Sequence, residues 1–146
     1  MRWILLLAVV VVSSAAAQDD RPNILLIIAD DLGYSDLGVY GSDIRTPNID
    51  ALAERGLLFT QFHASPLCST TRAMLFSGNN NHVAGMGRQG VLPGPVIPGL
   101  AGYENEFSDR IALLPALLND AGYRTYLAGK WHLGSTEESS PAAAGF

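Results

Sequence analysis

A chain of 146 residues with a formal net charge of −5 is long enough to form one small hydrophobic core. It contains no block of like charge, which excludes nucleic acid as an expected partner. Its one cysteine, Cys68, excludes an intramolecular disulfide, so in an oxidising compartment this thiol is buried, paired with another chain or used chemically.

The N-terminal residues have the pattern of a cleavable export signal. Arg2 is followed by an unbroken apolar run over residues 4–12 and then by small residues up to Ala17. This pattern predicts a secretory signal peptide over residues 1–17 and therefore a secreted or periplasmic protein. The alternative is a membrane anchor, but the run is shorter than the roughly 20 apolar residues of a spanning helix, so we expect no stable membrane insertion.

Predicted strands and helices alternate along the rest of the chain. Continuous apolar, partly β-branched runs predict three strands, at residues 24–29, 57–64 and 123–128. Start and stop residues predict three helices, at residues 47–56 (with Thr46 as N-cap), 71–77 and 115–122. Residues 79–106, rich in Gly, Pro and Asn, predict a long surface segment, which we call the excursion. This order indicates an α/β fold with a mostly parallel sheet flanked by helices.

Three groups of polar side chains directly follow the three predicted strands. Asp30 and Asp31 follow the first strand, the Cys68 segment follows the second, and Lys130 and His132 follow the third. The carboxyl ends of parallel strands meet at one edge of a sheet, where ligands bind. We therefore expect the three groups to lie together on one rim.

Asp30 and Asp31 are adjacent carboxylates that would repel each other at the end of a buried strand without a cation. Their oxygens suit Ca²⁺ or Mg²⁺, although two ligands do not fill a Ca²⁺ shell of about six to eight. The alternative is a solvated turn that caps the next segment.

Lys130 and His132 are two residues apart and point to the same side of an extended segment. The lysine offers a positive charge to an anionic oxygen, and the histidine can exchange a proton near neutral pH. The alternative is a surface loop with incidental charges. Trp131, between them, is expected to pack inward.

Cys68 and Arg72 are four residues apart, which is one turn if a helix starts at Ser69 or Thr70. A helix N-terminus attracts anions and activates a thiol. The alternative is a buried, inert cysteine. Of the other histidines, His82 in the excursion is a candidate substrate contact, whereas His63, near a strand end, is expected to be structural.

Five short runs carry a resemblance to a known family: PNILLIIADD (22–31), TPNID (46–50), CSTTRA (68–73), AGYRT (121–125) and GKWHLG (129–134). Together they resemble the N-terminal part of the type I sulfatases of the alkaline-phosphatase-like superfamily. The excursion is most similar to that of bacterial arylsulfatases. The resemblance covers nearly all of residues 21–134 and implies an alkaline-phosphatase-like α/β sandwich.

The resemblance also implies an activity, the hydrolysis of a small-molecule or glycan sulfate ester. In the family a formylglycine-generating enzyme oxidises the cysteine to formylglycine, whose hydrated aldehyde attacks the sulfate sulfur. The roles carry over by motif position: Cys68 as nucleophile precursor, Asp30, Asp31 and the modified Cys68 on Ca²⁺ (or Mg²⁺), Arg72 on the nucleophile, Lys130 and His82 on the substrate, and His132 in the release of sulfate.

Two features depart from the family pattern. Thr70 stands where the motif Cys-x-Pro-x-Arg has proline, which pre-sets an extended backbone, so we expect slower or partial modification. Family members are several times longer and bring further metal ligands, a histidine and a lysine from downstream. The resemblance therefore implies that residues 18–146 are an incomplete N-terminal portion of the catalytic domain, inactive alone.

Two other functions remain open at this point. A phosphonate or phosphate ester hydrolase of the same superfamily would use the same site to attack phosphorus. A non-catalytic pseudo-sulfatase would retain Cys68 as a thiol, which Thr70 and the missing downstream residues favour.

Overall fold

A computed structural model of the chain describes residues 21–89 and 99–146. The predicted signal peptide at residues 1–17 and the middle of the excursion lie outside the described residues. Within the described part, no helix is both long and apolar enough to cross a membrane.

The described residues form three α-helices and two short 3₁₀ turns. Helix α1 spans Pro47–Arg55, α2 spans Cys68–Ser77 and α3 spans Leu114–Asp120. The 3₁₀ turns, Tyr34–Asp36 and Gly38–Tyr40, precede α1 and were not predicted. All three predicted helices are present, with starts that differ by up to three residues.

Helix α1 begins and ends where local sequence rules place it, with Pro47 in the first turn and Gly56 as C-cap. The N-cap, Thr46, makes no side-chain bond to the helix amides. Its hydroxyl instead bonds to Asp50 Oδ1 and accepts from the amide of Gly38, both at 2.8 Å. Thr46 therefore ties the second 3₁₀ turn to the helix.

Helix α2 begins at Cys68, three residues before the predicted start. Its N-cap is Leu67, which has no side-chain group that could cap the helix. The helix ends at Gly78, which adopts a left-handed φ of +64° and donates its amide to the carbonyl of Met74. Cys68 is thus the first helical residue.

The three predicted strands are not confirmed, because the described residues contain no β-strand. Many of their apolar side chains face solvent: Leu25 is 85% exposed, Leu57 86% and Tyr126 81%. Ile28 and Leu127 are partly buried against the core. A strand is defined by hydrogen bonds to a neighbouring strand, and no pairing forms between these segments here. The apolar composition that predicted buried strands is present, but the neighbouring structure that would bury it is not among the described residues.

The hydrophobic core lies between α2, the excursion and the C-terminal residues. Trp131 is buried, as predicted, with its ring centroid 5.5 Å from that of Phe76 and 5.9 Å from that of Phe146. The buried apolar residues are Ala73, Phe76, Ala84, Met86, Trp131, Leu133 and Ala144. The C-terminal residues therefore add to the core, although their small, polar composition gave no sign of it.

The described parts of the excursion are anchored to each other by backbone hydrogen bonds. The amide of Gly87 donates to Gly102 O at 2.7 Å, and that of Asn105 to Gly85 O at 3.0 Å. A Cβ at Gly87 would lie 2.5 Å from Gly102 O, so only glycine allows this approach. Residues 79–87, which we call the first loop of the excursion, are consequently held against its second part, and Ala84 and Met86 of this loop lie in the core.

Candidate active site

Asp30 is the centre of an ion-pair network between distant parts of the chain. Its carboxylate accepts a 2.7 Å hydrogen bond from Lys130 Nζ, and Arg72 Nη2 lies 3.8 Å away. The hydrogen bond from Lys130, with the charges of Lys130, Arg72 and His132, lowers the pKa of Asp30. The same bond to Asp30, and then one with Cys68, raises the pKa of Lys130. Both side chains therefore stay charged over a wide pH range.

Arg72 joins helix α2 to the segment that carries Lys130. Its side chain is buried, with 5% of the residue exposed, and Nη1 donates a 2.5 Å hydrogen bond to the carbonyl of Lys130. A guanidinium that binds a backbone carbonyl fixes the position of that segment as well as supplying charge. Arg72 thus holds Lys130 and Asp30 against the first turns of α2.

Cys68 lies between two side chains from other parts of the chain. Its Sγ is 3.3 Å from His132 Nδ1 and 3.9 Å from Gln89 Oε1. The thiol is half-buried and belongs to no disulfide. A thiol and an imidazole in contact can exchange a proton, which is the arrangement needed to activate a nucleophile.

Asp31 and His132 both adopt left-handed backbone conformations, with φ of +58° and +62°. Such values are uncommon for residues with a side chain and are maintained only by the surrounding structure. Strain of this kind concentrates at functional sites. Asp31 directly follows Asp30, and His132 is two residues after Lys130, so both lie close in sequence to the ion pair of the site.

A cavity of about 250 Å³ opens beside this network. It is lined by the end of the first predicted strand, the segment before α2 and the first residues of that helix. Its polar and charged lining residues include Asp30, Asp31, Cys68, Thr71 and Arg72. The cavity is large enough for a small oxyanion and has both acidic and basic groups on its wall.

The described residues do not form a complete cation site. No group of three or more His, Cys, Asp or Glu side chains among them is arranged to hold a metal ion. Asp30 and Asp31 supply two carboxylates, but Asp30 is bound to Lys130. The third predicted ligand, Cys68, is in contact with His132. The donor set therefore falls short of a Ca²⁺ shell.

Neither His82 nor His63 is among the residues described above as contacts of Cys68. His82 is exposed in the excursion, with Nε2 3.1 Å from the Tyr103 hydroxyl and Nδ1 3.2 Å from Asn80 Oδ1. Both of these ring contacts are made within the excursion. His63 is exposed on the segment before α2. The substrate role predicted for His82 remains a prediction.

Gln89 is a site residue that the sequence reasoning missed. It follows the anchored first loop of the excursion and reaches Cys68 across 21 positions of sequence. A lone glutamine in a glycine-rich segment matches no motif and no periodicity, so no local signal could have indicated it.

Comparison with known proteins decides the family. The sulfatase family model matches residues 22–146, which is most of the chain. The chain belongs to the sulfatase family. This family membership implies an alkaline-phosphatase-like α/β fold, of which the described residues contain the helices but no sheet.

Named relatives in the sulfatase family come from distant organisms. The chain is 48% identical over 129 residues to an uncharacterized sulfatase of Schizosaccharomyces pombe, with 86% of the chain and 23% of that protein covered. It is 44% identical over 126 residues to an arylsulfatase of Klebsiella aerogenes, covering 86% of the chain and 27% of the relative. It is 42% identical over 137 residues to human N-acetylgalactosamine-6-sulfatase, covering 86% and 24%. The chain spans about a quarter of the length of these relatives.

Proposed function

We propose that the protein to which this chain belongs hydrolyses sulfuric esters, with Cys68 as the origin of the nucleophile. The observation that carries the proposal is the contact of Cys68 Sγ with His132 Nδ1, at the start of α2 and beside Lys130 and Arg72. Membership of the sulfatase family supports the same reaction. Because the chain spans about a quarter of its relatives, the activity is proposed for the whole protein.

Cys68 is proposed to be converted to formylglycine by a formylglycine-generating enzyme. When present, the hydrated aldehyde supplies a hydroxyl nucleophile that a thiol does not. The surroundings fit such a group, because the side chain is half-buried at a helix N-terminus with cationic groups around it. Developing negative charge at this position would meet Lys130 and the first turn of α2.

The charged residues have distinct proposed roles. Lys130 binds a sulfate oxygen and offsets the charge that develops on the departing group. Arg72 holds the Lys130 segment and the Asp30 carboxylate in place. His132, in contact with the Cys68 side chain, accepts or returns a proton there. The roles of Arg72 and His132 use contacts that are already made, and Lys130 is held in place by its bond to Asp30.

We propose three ligands for a bound Ca²⁺, or for Mg²⁺ as an alternative: the carboxylates of Asp30 and Asp31 and the modified side chain of Cys68. Such a cation would polarise a sulfate oxygen. The described residues supply an incomplete shell, so no step is assigned to the metal. Its remaining ligands would come from outside the described residues.

The proposed substrate is a small-molecule or glycan sulfate ester. One relative is named as an arylsulfatase and another as N-acetylgalactosamine-6-sulfatase, which supports an aryl or sugar sulfate. The proposed location is outside the cytoplasm, secreted or periplasmic, on the basis of residues 1–17.

The test is a hydrolysis assay on the protein encoded by the longest open reading frame that contains this sequence. This protein is produced together with a formylglycine-generating enzyme. We expect p-nitrophenyl sulfate to be hydrolysed with a higher kcat/KM than a p-nitrophenyl phosphodiester. Cys68→Ala should abolish the activity, whereas Ser35→Ala, an exposed control, should not. A preference for the phosphodiester would contradict the proposal and favour the phosphonate or phosphate ester hydrolase.

A non-catalytic role is the second candidate, and Thr70 is the observation that favours it. Threonine in place of the family's proline lacks the fixed φ of that residue. If the modifying enzyme rejects this segment, Cys68 remains a thiol and the protein is a pseudo-sulfatase. Absence of hydrolysis together with a free thiol in every molecule would establish this alternative.

A further inference from the structure

The turn that carries Cys68 is closed by side-chain hydroxyl groups. Ser65 Oγ lies 2.6 Å from Thr70 Oγ1, and Thr70 Oγ1 donates a 2.8 Å hydrogen bond to the carbonyl of Leu67. Thr71 Oγ1 donates to the carbonyl of Ser65 at 2.9 Å. These bonds connect the segment before the helix with its first turn, on either side of Cys68.

The direction of the hydroxyl bonds follows from the number of protons. A threonine hydroxyl has one proton, and that of Thr70 is donated to Leu67 O. Ser65 must therefore donate its own proton to Thr70. The three groups form a directed relay, from Ser65 to Thr70 to the Leu67 carbonyl, in which each bond polarises the next.

The relay occupies the place of a helix cap. A helix usually starts with a polar N-cap side chain that binds the first amide groups, but the N-cap here is Leu67. The Leu67 carbonyl accepts the first helical bond, a 3.0 Å bond from the amide of Thr71. The relay ends on this same carbonyl, so it fixes the acceptor at which the helix begins.

Thr70 is isolated from solvent, with 2% of its surface exposed. A buried hydroxyl that lost its partner would pay a desolvation penalty, so the relay is maintained as a unit. The neighbouring hydroxyl of Ser69 is also buried, but its Oγ has no hydrogen-bond partner among the described residues. The two adjacent positions thus provide a bonded and an unbonded hydroxyl in the same turn.

We propose that Ser65 and Thr70 are positioning residues that hold the Cys68 side chain against His132 through this relay. The proposal extends beyond the proposed function, because the position of Cys68 can be measured whether or not the protein hydrolyses a sulfate ester. Neither hydroxyl touches the reacting atoms. Each acts on Cys68 through the start of α2.

The first experiment measures the position of Cys68 without catalysis. The protein encoded by the longest open reading frame that contains the sequence is produced in an extract without formylglycine-generating enzyme, so that Cys68 stays a thiol. The rate at which iodoacetamide alkylates Cys68 is then measured at one fixed pH. We expect Thr70→Val and Ser65→Ala to raise the alkylation rate by about 5-fold, because a released thiol becomes more accessible. Thr70→Ser keeps the hydroxyl and should restore the wild-type rate.

The control for this experiment is Ser69→Ala, which removes the unbonded hydroxyl from the same turn. Its alkylation rate should equal that of the wild type. The double variant Ser65→Ala/Thr70→Val should match either single variant, because the two residues act as one unit. Equal rates in Thr70→Val and Ser69→Ala, or additive effects in the double variant, would overturn the relay.

The second experiment measures catalysis on the modified protein with p-nitrophenyl sulfate. Thr70→Val should lower kcat, expressed per formylglycine-bearing molecule, by roughly 10- to 100-fold with little change in KM, because a misplaced nucleophile reacts slowly on bound substrate. A faster alkylation with unchanged kcat would mean that the relay is only structural and would overturn the positioning role. If the wild type hydrolyses no sulfate ester, the proposed function fails, while the alkylation rates still decide the relay.

Discussion

Lys130 is the only lysine of the chain and Cys68 the only cysteine, and the two residues meet at the same site. Lys130 is held by Asp30 at 2.7 Å, on a segment that Arg72 binds through its backbone carbonyl. A positive charge fixed in this way needs no reorganisation when charge develops nearby. The role proposed for Lys130 therefore depends on its neighbours as much as on its own ammonium group.

Replacement of Lys130 by methionine should lower kcat/KM for a sulfate ester by about 10²- to 10³-fold, the usual effect of removing a group that stabilises transition-state charge. The measurement is steady-state kinetics of the modified protein, made from the longest open reading frame. Arg55→Met, which removes an exposed cation from α1, is the control and should change kcat/KM little. Equal losses in the two variants would show that only net charge matters.

Replacement of Arg72 by methionine should destabilise the fold by roughly 1–3 kcal/mol, because the Lys130 carbonyl and the Asp30 carboxylate lose their partner. Urea unfolding measures the free energy of unfolding. Arg55→Met should stay within about 0.5 kcal/mol of the wild type, as is usual for an exposed residue. An unchanged midpoint in the Arg72 variant would contradict the anchoring role.

At the scale of elements, a sequence predicts features that depend on neighbouring residues better than features that depend on pairing between distant segments. The bounds of α1 follow from Pro47 and Gly56, whose effects act within one turn. The strand predicted at residues 24–29 depends on hydrogen-bond partners in other segments, which an apolar run does not specify. The early start of α2 has leucine as its N-cap and is accompanied by the Ser65–Thr70 bond, which a rule based on the N-cap residue does not include.

The candidate site could be predicted in part for the same reason. Asp30, Cys68 and His132 stand out because each is a reactive residue type at a segment end. Gln89 does not, because it reaches Cys68 only through the fold of the excursion. The ion pair between Asp30 and Lys130 also has no local signal in the sequence, because the two residues are 100 positions apart.

Proline at position 70 should increase the conversion of Cys68 to formylglycine. The first helical bond of α2 comes from the amide of Thr71, so position 70 lies in the first turn, where proline is tolerated. Proline also pre-sets φ for the modifying enzyme. Mass spectrometry of the Cys68 peptide from Thr70→Pro, Thr70→Val and wild-type protein measures the modified fraction.

Thr70→Val serves as the control for the proline variant, because it removes the hydroxyl without fixing the backbone. Its modified fraction should not exceed that of the wild type. An equal fraction in Thr70→Pro and wild type would mean that residue 70 does not limit the modification.

Glu104 should titrate below its ordinary pKa of 4.5, because backbone amide groups at Glu104 and Gly102 bind its carboxylate and Arg110 lies nearby. A lowered folded-state pKa means that the carboxylate stabilises the excursion above pH 4.5, and that this contribution is lost as the pH falls through the folded-state value. NMR titration of the Glu104 carboxylate measures the shift.

Glu54, an exposed acid on α1, supplies the control variant. Glu104→Gln should remove the acid-dependent change in the amide signals near Gly102, whereas Glu54→Gln should leave it. A Glu104 titration at or above 4.5 would contradict the anchoring of the excursion by this carboxylate.

At the scale of the whole molecule, the described residues bring the candidate site residues together, although they do not form the sheet that the family fold implies. The core formed by α2, the excursion and the C-terminal residues brings Cys68, His132, Lys130 and Asp30 together. Most apolar side chains of the predicted strand segments are exposed, and the chain covers about a quarter of the length of its relatives. Catalysis is therefore a property that we propose for the whole protein, with its nucleophile located in this chain.

The most direct test of that claim is mass spectrometry of the tryptic peptide that ends at Arg72, from protein produced with a formylglycine-generating enzyme. Treatment with a hydrazide labels an aldehyde but not a thiol. We predict a labelled fraction at position 68 and a rate of sulfate ester hydrolysis proportional to that fraction. A free Cys68 thiol in every molecule, or hydrolysis that does not follow the labelled fraction, would contradict the assignment of Cys68 as nucleophile precursor.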